Sequence, residues 1–443
     1  MNFCIVTFGC RVNQADSLHL EEQLRARGGA PTPPEHADLV IVNTCSVTAA
    51  ADQGARQTIR RIARENPAAQ IVATGCYATR RPADVAALPN VMRVISNDDK
   101  LDFLETPDSH FWTELTTVER FGEGDGACGA PLEPGMRGRT AFTLRVQTGC
   151  DERCAYCIIP TTRGRGRSLP LTAVVSEVRR IADAGFKEIA VTGVHLGSYG
   201  RDLEPGASLL ELMRALDRLP ADVTFRMSSL EPMDCLPEIV DLIARSGGRF
   251  APHFHLPLQH ASDRVLAAMR RPYTLAYYRA LVDRIVSRLP HASIGSDMIV
   301  GFPGEGADDF AANVDYLPGS PLTHLHVFPY SDRDGTSASR MGGKVDGSSI
   351  RSRGAALRAI GASLTRRFHE AQRGSVRPGL TLEDGTLVVT DNYLKLRIPP
   401  GFARNQRVQV RVLSATEGEA AESRAIPSAL RGDAPATACA WSR

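Results

Sequence analysis

Over the first 95 positions, short β-branched runs alternate with longer amphipathic stretches. The pattern predicts strands at 2–8, 38–43, 70–74 and 91–95, helices at about 15–27 and 49–65, and a short helix before the last strand. Such alternation predicts a parallel α/β sheet. Gly, Glu, Pro and Thr dominate 105–140, as in Phe121-Gly-Glu-Gly-Asp-Gly126 and Pro131-Leu-Glu-Pro-Gly135, which reads as a linker or mobile edge. From Phe142 the alternation resumes, with strands near 142–147, 187–192, 223–228, 253–257, 293–299 and 322–328, each followed by a helical stretch or long loop. Six β/α units fall short of the eight of a full barrel, so a partial (β/α)6 barrel with an open side is expected. After an Arg-rich helix at about 349–373 the period changes to two, in Gly385-Thr-Leu-Val-Val-Thr390, Tyr393-Leu-Lys-Leu-Arg-Ile398 and Arg407-Val-Gln-Val-Arg-Val412. This predicts a small β-barrel-like domain. The expected division is 1–125, 138–370, 371–425 and a flexible tail at 426–443.

Composition changes this picture little. Lys plus Arg (52) nearly balance Asp plus Glu (50), so a nucleic-acid partner has to be argued from local patches. Apolar runs such as Asp38-Leu-Val-Ile-Val-Asn43 fall far short of the ~20 residues that cross a bilayer, so no membrane span is expected. Met1-Asn-Phe-Cys-Ile-Val-Thr-Phe8 lacks a basic leader and reads as a strand, which points to a cytoplasmic protein. In a reducing compartment ten cysteines suggest metal binding or catalysis rather than disulfides. Six form two organised sets; Cys4, Cys128, Cys235 and Cys439 lack such spacing and read as buried or incidental thiols.

Cys150-Asp-Glu-Arg-Cys154-Ala-Tyr-Cys157 places three thiols within eight residues, directly after the predicted strand Leu144-Arg-Val-Gln-Thr148. Three thiolates can hold a four-iron cluster and leave one iron open to a small chelating molecule. A zinc knot is the alternative, although zinc usually takes two Cys-x-x-Cys pairs and no second pair follows. The spacing, with aromatic Tyr156 before the third cysteine, resembles the radical S-adenosylmethionine (SAM) superfamily. That resemblance implies SAM chelated at the open iron and cleaved to methionine and a 5′-deoxyadenosyl radical, with Cys150, Cys154 and Cys157 both metal ligands and catalytic residues. Other barrel strand ends offer groups for SAM: Thr192 and Gly193, Ser228 and Glu231, His255 and Gln259, and Val300 and Gly301. Taken singly, each is as well explained as a satisfied core residue; their recurrence argues for a site.

Cys10, Cys45 and Cys76 each follow a predicted strand of the N-terminal sheet, in Phe8-Gly-Cys10, Val42-Asn-Thr-Cys45 and Thr74-Gly-Cys76. Ligands of such sheets bind beyond the carboxyl ends of the strands, so three thiols should converge there, unless small buried cysteines fall at loop starts by chance. With Gly9-Cys-Arg-Val-Asn-Gln-Ala-Asp16, Asn43-Thr-Cys-Ser-Val-Thr48, Arg56-Gln-Thr-Ile-Arg-Arg61, Gly75-Cys76 and Ile159-Pro-Thr-Thr-Arg-Gly-Arg-Gly-Arg-Ser168, the chain resembles the methylthiotransferases of the radical SAM superfamily from Phe3 to about Leu413. The resemblance implies two [4Fe-4S] clusters, the auxiliary one on Cys10, Cys45 and Cys76, and a C-terminal TRAM domain that binds tRNA. It also implies two uses of SAM, one to methylate a cluster-bound sulfur and one to make the radical, plus an external electron donor and sulfur source. A monomer is expected. Thr192-Gly-Val-His-Leu-Gly-Ser-Tyr-Gly200, Ser228-Ser-Leu-Glu-Pro232 and Pro329-Tyr-Ser-Asp-Arg-Asp-Gly-Thr336 look most like the branch that modifies C2 of N6-threonylcarbamoyladenosine at tRNA position 37. The isopentenyladenosine branch usually carries a Gly-Gln-Asn-Val-Asn pattern, absent after the second barrel strand. Arg11 stands where the threonylcarbamoyl branch commonly has Lys.

Candidate RNA contacts are Arg163, Arg165 and Arg167 beside the cysteine loop, the Arg-rich helix including Arg366 and Arg367, and Lys395, Arg397, Arg404, Arg407 and Arg411 on the β domain, interleaved with Tyr393 and Phe402. A solvated charged face is the plainer reading of the helix. Two further readings share most of these features: a ribosomal-protein methylthiotransferase, and a non-enzymatic iron–sulfur RNA-binding protein.

Overall fold

The computed structural model describes residues 1–101, 104, 134, 140–203 and 205–422. Most of the expected linker, Cys128, Cys439 and the expected tail lie outside the described residues.

Five parallel strands form the N-terminal sheet: β1 (Asn2–Thr7), β2 (Ala30–Pro31), β3 (Leu39–Thr44), β4 (Gln70–Gly75) and β5 (Val91–Val94), in the order β2-β1-β3-β4-β5. Alternation along the strands decides which helix covers which face. Phe3, Ile5, Leu39 and Ile41 pack with Leu20 and Leu24 of helix Arg11–Ala26, whereas Val40, Val42 and Ile71 pack with Ile59 and Ile62 of helix Ala49–Glu65. Each fully buried aliphatic side chain is worth about 1.5–3 kcal/mol. The first helix starts at Arg11, earlier than the periodicity predicts, because its opening turns carry buried Asn13 and Asp16 in place of an apolar stripe. The strand order reverses direction between β1 and β3, which opens a crevice at their carboxyl ends.

The central region opens with β6 (Phe142–Arg145) and the short antiparallel pair β7 (Gln147–Thr148) and β8 (Arg167–Ser168), which frames the cysteine loop. Parallel strands β9 (Glu188–Thr192), β10 (Thr224–Met227), β11 (His253–His255), β12 (Ser293–Val300) and β13 (His324–Pro329) follow. They form two three-stranded sheets, β10-β9-β6 and β11-β12-β13, joined by a bridge between Phe225 and Phe250. Ile189, Val191, Phe225, Met227, Ile294 and Val300 pack outward with helix residues such as Val178, Leu212, Ile243 and Ile285. Glu188, Arg226, His253, His255, Asp297, His324 and His326 alternate with them and face the lumen of this partial barrel. Helix Arg11–Ala26 lies against β6 at the open side.

Helix Gly347–Gln372 leads into a curled antiparallel β half-barrel of β14 (Val376–Leu382), β15 (Leu387–Thr390), β16 (Lys395–Arg397), β17 (Arg407–Val412) and β18 (Gly418–Glu422), in the order β16-β15-β14-β17-β18. It plugs the amino ends of the barrel strands. Arg226, buried and paired with Glu188, donates to the carbonyls of Thr390 and Asp391 and lies 5.0 Å from the Tyr393 ring, which stacks on His253 at 4.6 Å. Tyr393 is therefore an interdomain contact while remaining 38% exposed, and Phe402 packs against the half-barrel core. Arg407 is likewise committed to Asp222, Thr224 and the Lys187 carbonyl.

Candidate active site

The N-terminal cysteines meet at the crevice beyond β1, β3 and β4. Gly9 has φ +88° and lies so close to Cys45 that a Cβ there would meet its Sγ at 2.6 Å, which lets the Cys10 turn fold over Cys45. Asn13 ties the two turns together by donating to the carbonyls of Phe8 (2.8 Å) and Thr44 (2.9 Å). Cys76 opens helix Cys76–Arg80, and the Asn97 amide lies 3.7 Å from its Sγ. Burial, with Cys10 and Cys76 nearby, pushes the Cys45 thiol up to about 11. Metal binding at such thiols must displace their protons.

The second triplet lies on the loop between β7 and β8. Gly149, with φ +72°, allows the loop to turn back on itself: a Cβ would stand 1.8 Å from the Arg165 carbonyl oxygen. Gly149→Ala is expected to spread the loop and cut bound iron by about one four-iron cluster, read as iron per chain against wild type. Gln147 is the latch of this region. Its amide donates to the carbonyls of Thr148 and Gly149 and its oxygen accepts from the His195 backbone N–H, all at 2.9 Å.

Two polar side chains contact these cysteines, each held by a carboxylate of its own. Buried Arg271 donates to Cys154 Sγ at 3.0 Å and pairs with Glu231. His195 places Nδ1 3.7 Å from Cys150 Sγ, and its Nε2 lies 2.6 Å from Asp234, which fixes the ring orientation. Burial pushes Cys150 up to about 11 and Cys157 up to about 12. Each triplet offers three thiols and no fourth cysteine of the same set. A structural zinc takes four protein ligands, whereas a four-iron cluster can be held by three thiolates, each on a different iron, with one iron left open. The donor sets therefore fit clusters better than single ions.

Arg163 links the two triplets. It is 2% exposed, donates to Asn13, Asp16 (3.1 Å) and Thr148 (3.2 Å), and interacts electrostatically with Cys10 and Cys76. Asp16 also binds Lys100 (2.8 Å) and Arg145, so one buried carboxylate holds three cations from both domains. On the far side, buried Arg333 reaches across to the carbonyl of Ser46 (2.7 Å), the residue after Cys45, and to Asp52 (2.8 Å). Arg163 is thus a buried strut and unavailable to RNA phosphate, contrary to the sequence-based expectation.

The other expected site residues divide. Ser228 Oγ is buried with no hydrogen-bond partner among the described residues, as a ligand-binding hydroxyl would be. Tyr156 packs against the apolar cluster that includes Ala155, Met269 and Phe302, and Thr192 is buried at the end of β9. Gly193 is walled in by Gln147, whose Oε1 a Cβ would meet at 2.9 Å, so close packing accounts for the glycine. The Gly301 N–H is taken by Glu305, and the Val300 side chain belongs to the outer core while its carbonyl accepts from the Tyr330 N–H. Gln259 is tied to β12 through its own N–H and carbonyl. His255 pairs with Asp297 at 3.0 Å inside the barrel. Arg167 is exposed and paired with Asp98, Arg366 is exposed, and Arg367 donates to the carbonyls of Pro318 (2.7 Å) and Ser320. Lys395 and Arg397 point outward from β16.

Residues 2–96 match the family described as "Uncharacterized protein family UPF0004", and residues 144–317 match the radical SAM superfamily. A threonylcarbamoyladenosine tRNA methylthiotransferase, MtaB, of Aquifex aeolicus is 35% identical over 401 residues, covering 90% of this chain and 96% of its own length. This chain belongs to the radical SAM methylthiotransferases. Within that family it is MtaB-like, and as a radical SAM methylthiotransferase it uses SAM and a [4Fe-4S] cluster. Methylthiotransferases named for other substrates also match: the tRNA-2-methylthio-N(6)-dimethylallyladenosine synthase of Chloroflexus aurantiacus (34% identity, 76% of this chain and 71% of its own) and the ribosomal protein uS12 enzyme of Salinispora tropica (34%, 86% and 82%). The fold agrees with the radical SAM methyltransferase TsrM of Kitasatospora setae, at TM-score 0.53 and 16% identity over 74% of each chain. No helix among the described residues is long and apolar enough to cross a membrane.

Proposed function

We propose that this methylthiotransferase modifies C2 of N6-threonylcarbamoyladenosine at tRNA position 37, with one cluster on Cys150, Cys154 and Cys157 and an auxiliary cluster on Cys10, Cys45 and Cys76. The observation that carries this reading is Arg163, which spans from the second triplet's loop to the crevice of the first and so gives both sites one frame. When bound, the clusters supply the electron that cleaves SAM and the sulfur to be transferred. The chain's own residues hold and orient. Arg271 and His195 lie beside the sulfurs of Cys154 and Cys150, where a donor stabilises thiolate charge. Ser228 offers its free hydroxyl to SAM. The Asp16 and Arg333 networks keep the crevice registered against the barrel mouth.

Mass spectrometry of tRNA nucleosides from a deletion strain tests the substrate. Disappearance of the methylthiolated threonylcarbamoyladenosine is expected. Loss of methylthiolated isopentenyladenosine instead, or loss confined to a ribosomal protein, would sink the assignment. Lys395 and Arg397 are the exposed cations proposed for phosphate contact. Replacing both with Ala is expected to weaken tRNA binding at low salt and to flatten the slope of log K against log salt by about 1–2. The same slope in mutant and wild type would remove them from the RNA face.

A further inference from the structure

Inside the barrel, three ligand-type side chains meet that the proposed reaction does not use. His255 on β11, Asp297 on β12 and His326 on β13 come from three adjacent parallel strands, and their ligating atoms all lie within 4.8 Å of one another. Strand register accounts for the meeting. Asp297 lies directly across from His326, and His255 lies across from Gly295, two residues before Asp297 on the same face. Gly295 makes the room: a Cβ there would stand 2.0 Å from Nε2 of the neighbouring His324. His324 itself is turned to the Thr323 hydroxyl at 3.0 Å and stays outside the group.

Ordinary histidine–aspartate ion pairing does not describe this group well. The nitrogens His255 Nε2 and His326 Nδ1 approach the same oxygen, Asp297 Oδ1, at 3.0 and 3.3 Å. That oxygen is buried and neither approach has good hydrogen-bond geometry, although, against the effect of burial, the two rings still hold the Asp297 carboxyl well below its usual range and Asp297 raises the His326 pKa. Two ring nitrogens that converge on one buried carboxylate oxygen without satisfying it in good geometry are what a shared cation would serve. Two imidazoles and one carboxylate, held by hydrogen-bonded backbone, form a three-ligand set with open positions, suited to zinc or iron(II).

We propose that His255, Asp297 and His326 bind a divalent transition ion of the zinc class within the barrel, at a site separate from both cysteine triplets. The site stands independently of which substrate is modified.

The test uses the holoenzyme with its iron–sulfur clusters assembled, dialysed anaerobically against micromolar zinc chloride and desalted. Zinc and iron per chain are counted, and the zinc shell is read by X-ray absorption. About one zinc per chain is expected, with only nitrogen and oxygen neighbours at ~2.0–2.1 Å. Asp297→Asn and His326→Ala should each lose it while keeping wild-type iron. His326 is 55% exposed, so its removal is well tolerated by the fold and iron content reports that the protein is intact. Wild-type protein without zinc would overturn the proposal, as would a sulfur shell at ~2.3 Å, which puts the ion on cysteines. Zinc retained in both variants would overturn it as well. Zinc-free wild type whose variants raise the KM for tRNA would assign these side chains to the substrate instead.

Discussion

Cys154→Ala is expected to abolish SAM cleavage, by at least about a thousandfold, because the side chains of a protein offer no substitute source of the radical. Cys45→Ala is expected to cleave SAM at close to the wild-type rate and to form no methylthio product. The contrast follows from where the two cysteines sit. Cys154 belongs to the barrel loop, where Arg271 donates to its sulfur, whereas Cys45 lies in the crevice of a separate sheet with Cys10 and Cys76 as neighbours. Each variant should lose about four irons, one cluster's worth. Formation of 5′-deoxyadenosine and of methylthiolated nucleoside, measured in the same reaction, reads both outcomes. Normal thiolation by Cys45→Ala would remove the N-terminal triplet from the mechanism.

Asp16→Ala is expected to be the most damaging substitution outside the cysteines. Asp16 is fully buried, and its loss strands the ammonium of Lys100 and the guanidinium of Arg163, both almost without solvent, beside Arg145. Removing one partner of such a buried network costs about 3–5 kcal/mol. The loss should appear as an earlier first transition in urea unfolding followed by far-UV circular dichroism. It should also weaken the contact between the N-terminal sheet and the barrel, because Arg145 and Arg163 belong to the barrel and Asp16 to the helix packed against it. The same network sets a pH dependence. Burial alone would raise the Asp16 carboxyl, but Lys100, Arg145 and Arg163 outweigh it and hold it well below the usual carboxylate range. With a folded pKa below the unfolded one, its contribution is present above about pH 4 and is lost as pH falls further toward the folded value. The Asp16→Ala protein should lack this part of the acid sensitivity. Equal acid sensitivity in the two proteins would show that other carboxylates control it.

The element pattern was legible because periodicity is local. Period two against period 3.6 gave the parallel strands, the barrel units and three strands of the antiparallel end; it missed Ala30–Pro31, too short to show a period, and also β14, interrupted by Pro378-Gly379, and β18 with its Gly-Glu-Ala-Ala-Glu sequence. The cysteine sets were legible for a related reason: a residue that follows a strand in a parallel sheet is delivered to the same edge as its counterparts. Charge partners were not legible. Nothing in Ile159-Pro-Thr-Thr-Arg163 says that this arginine is buried against a carboxylate 147 residues earlier, and nothing near Arg271 points to Cys154, 117 residues away. An exposed cation binding phosphate and a buried one bracing two domains have the same local sequence. The sequence by itself determined the element types, the two cysteine sets and the radical chemistry they imply. Only the tertiary structure decided which cations are struts, that Tyr393 closes the barrel floor, and that His255 joins Asp297 and His326, because each depends on burial and pairing between segments far apart in the chain.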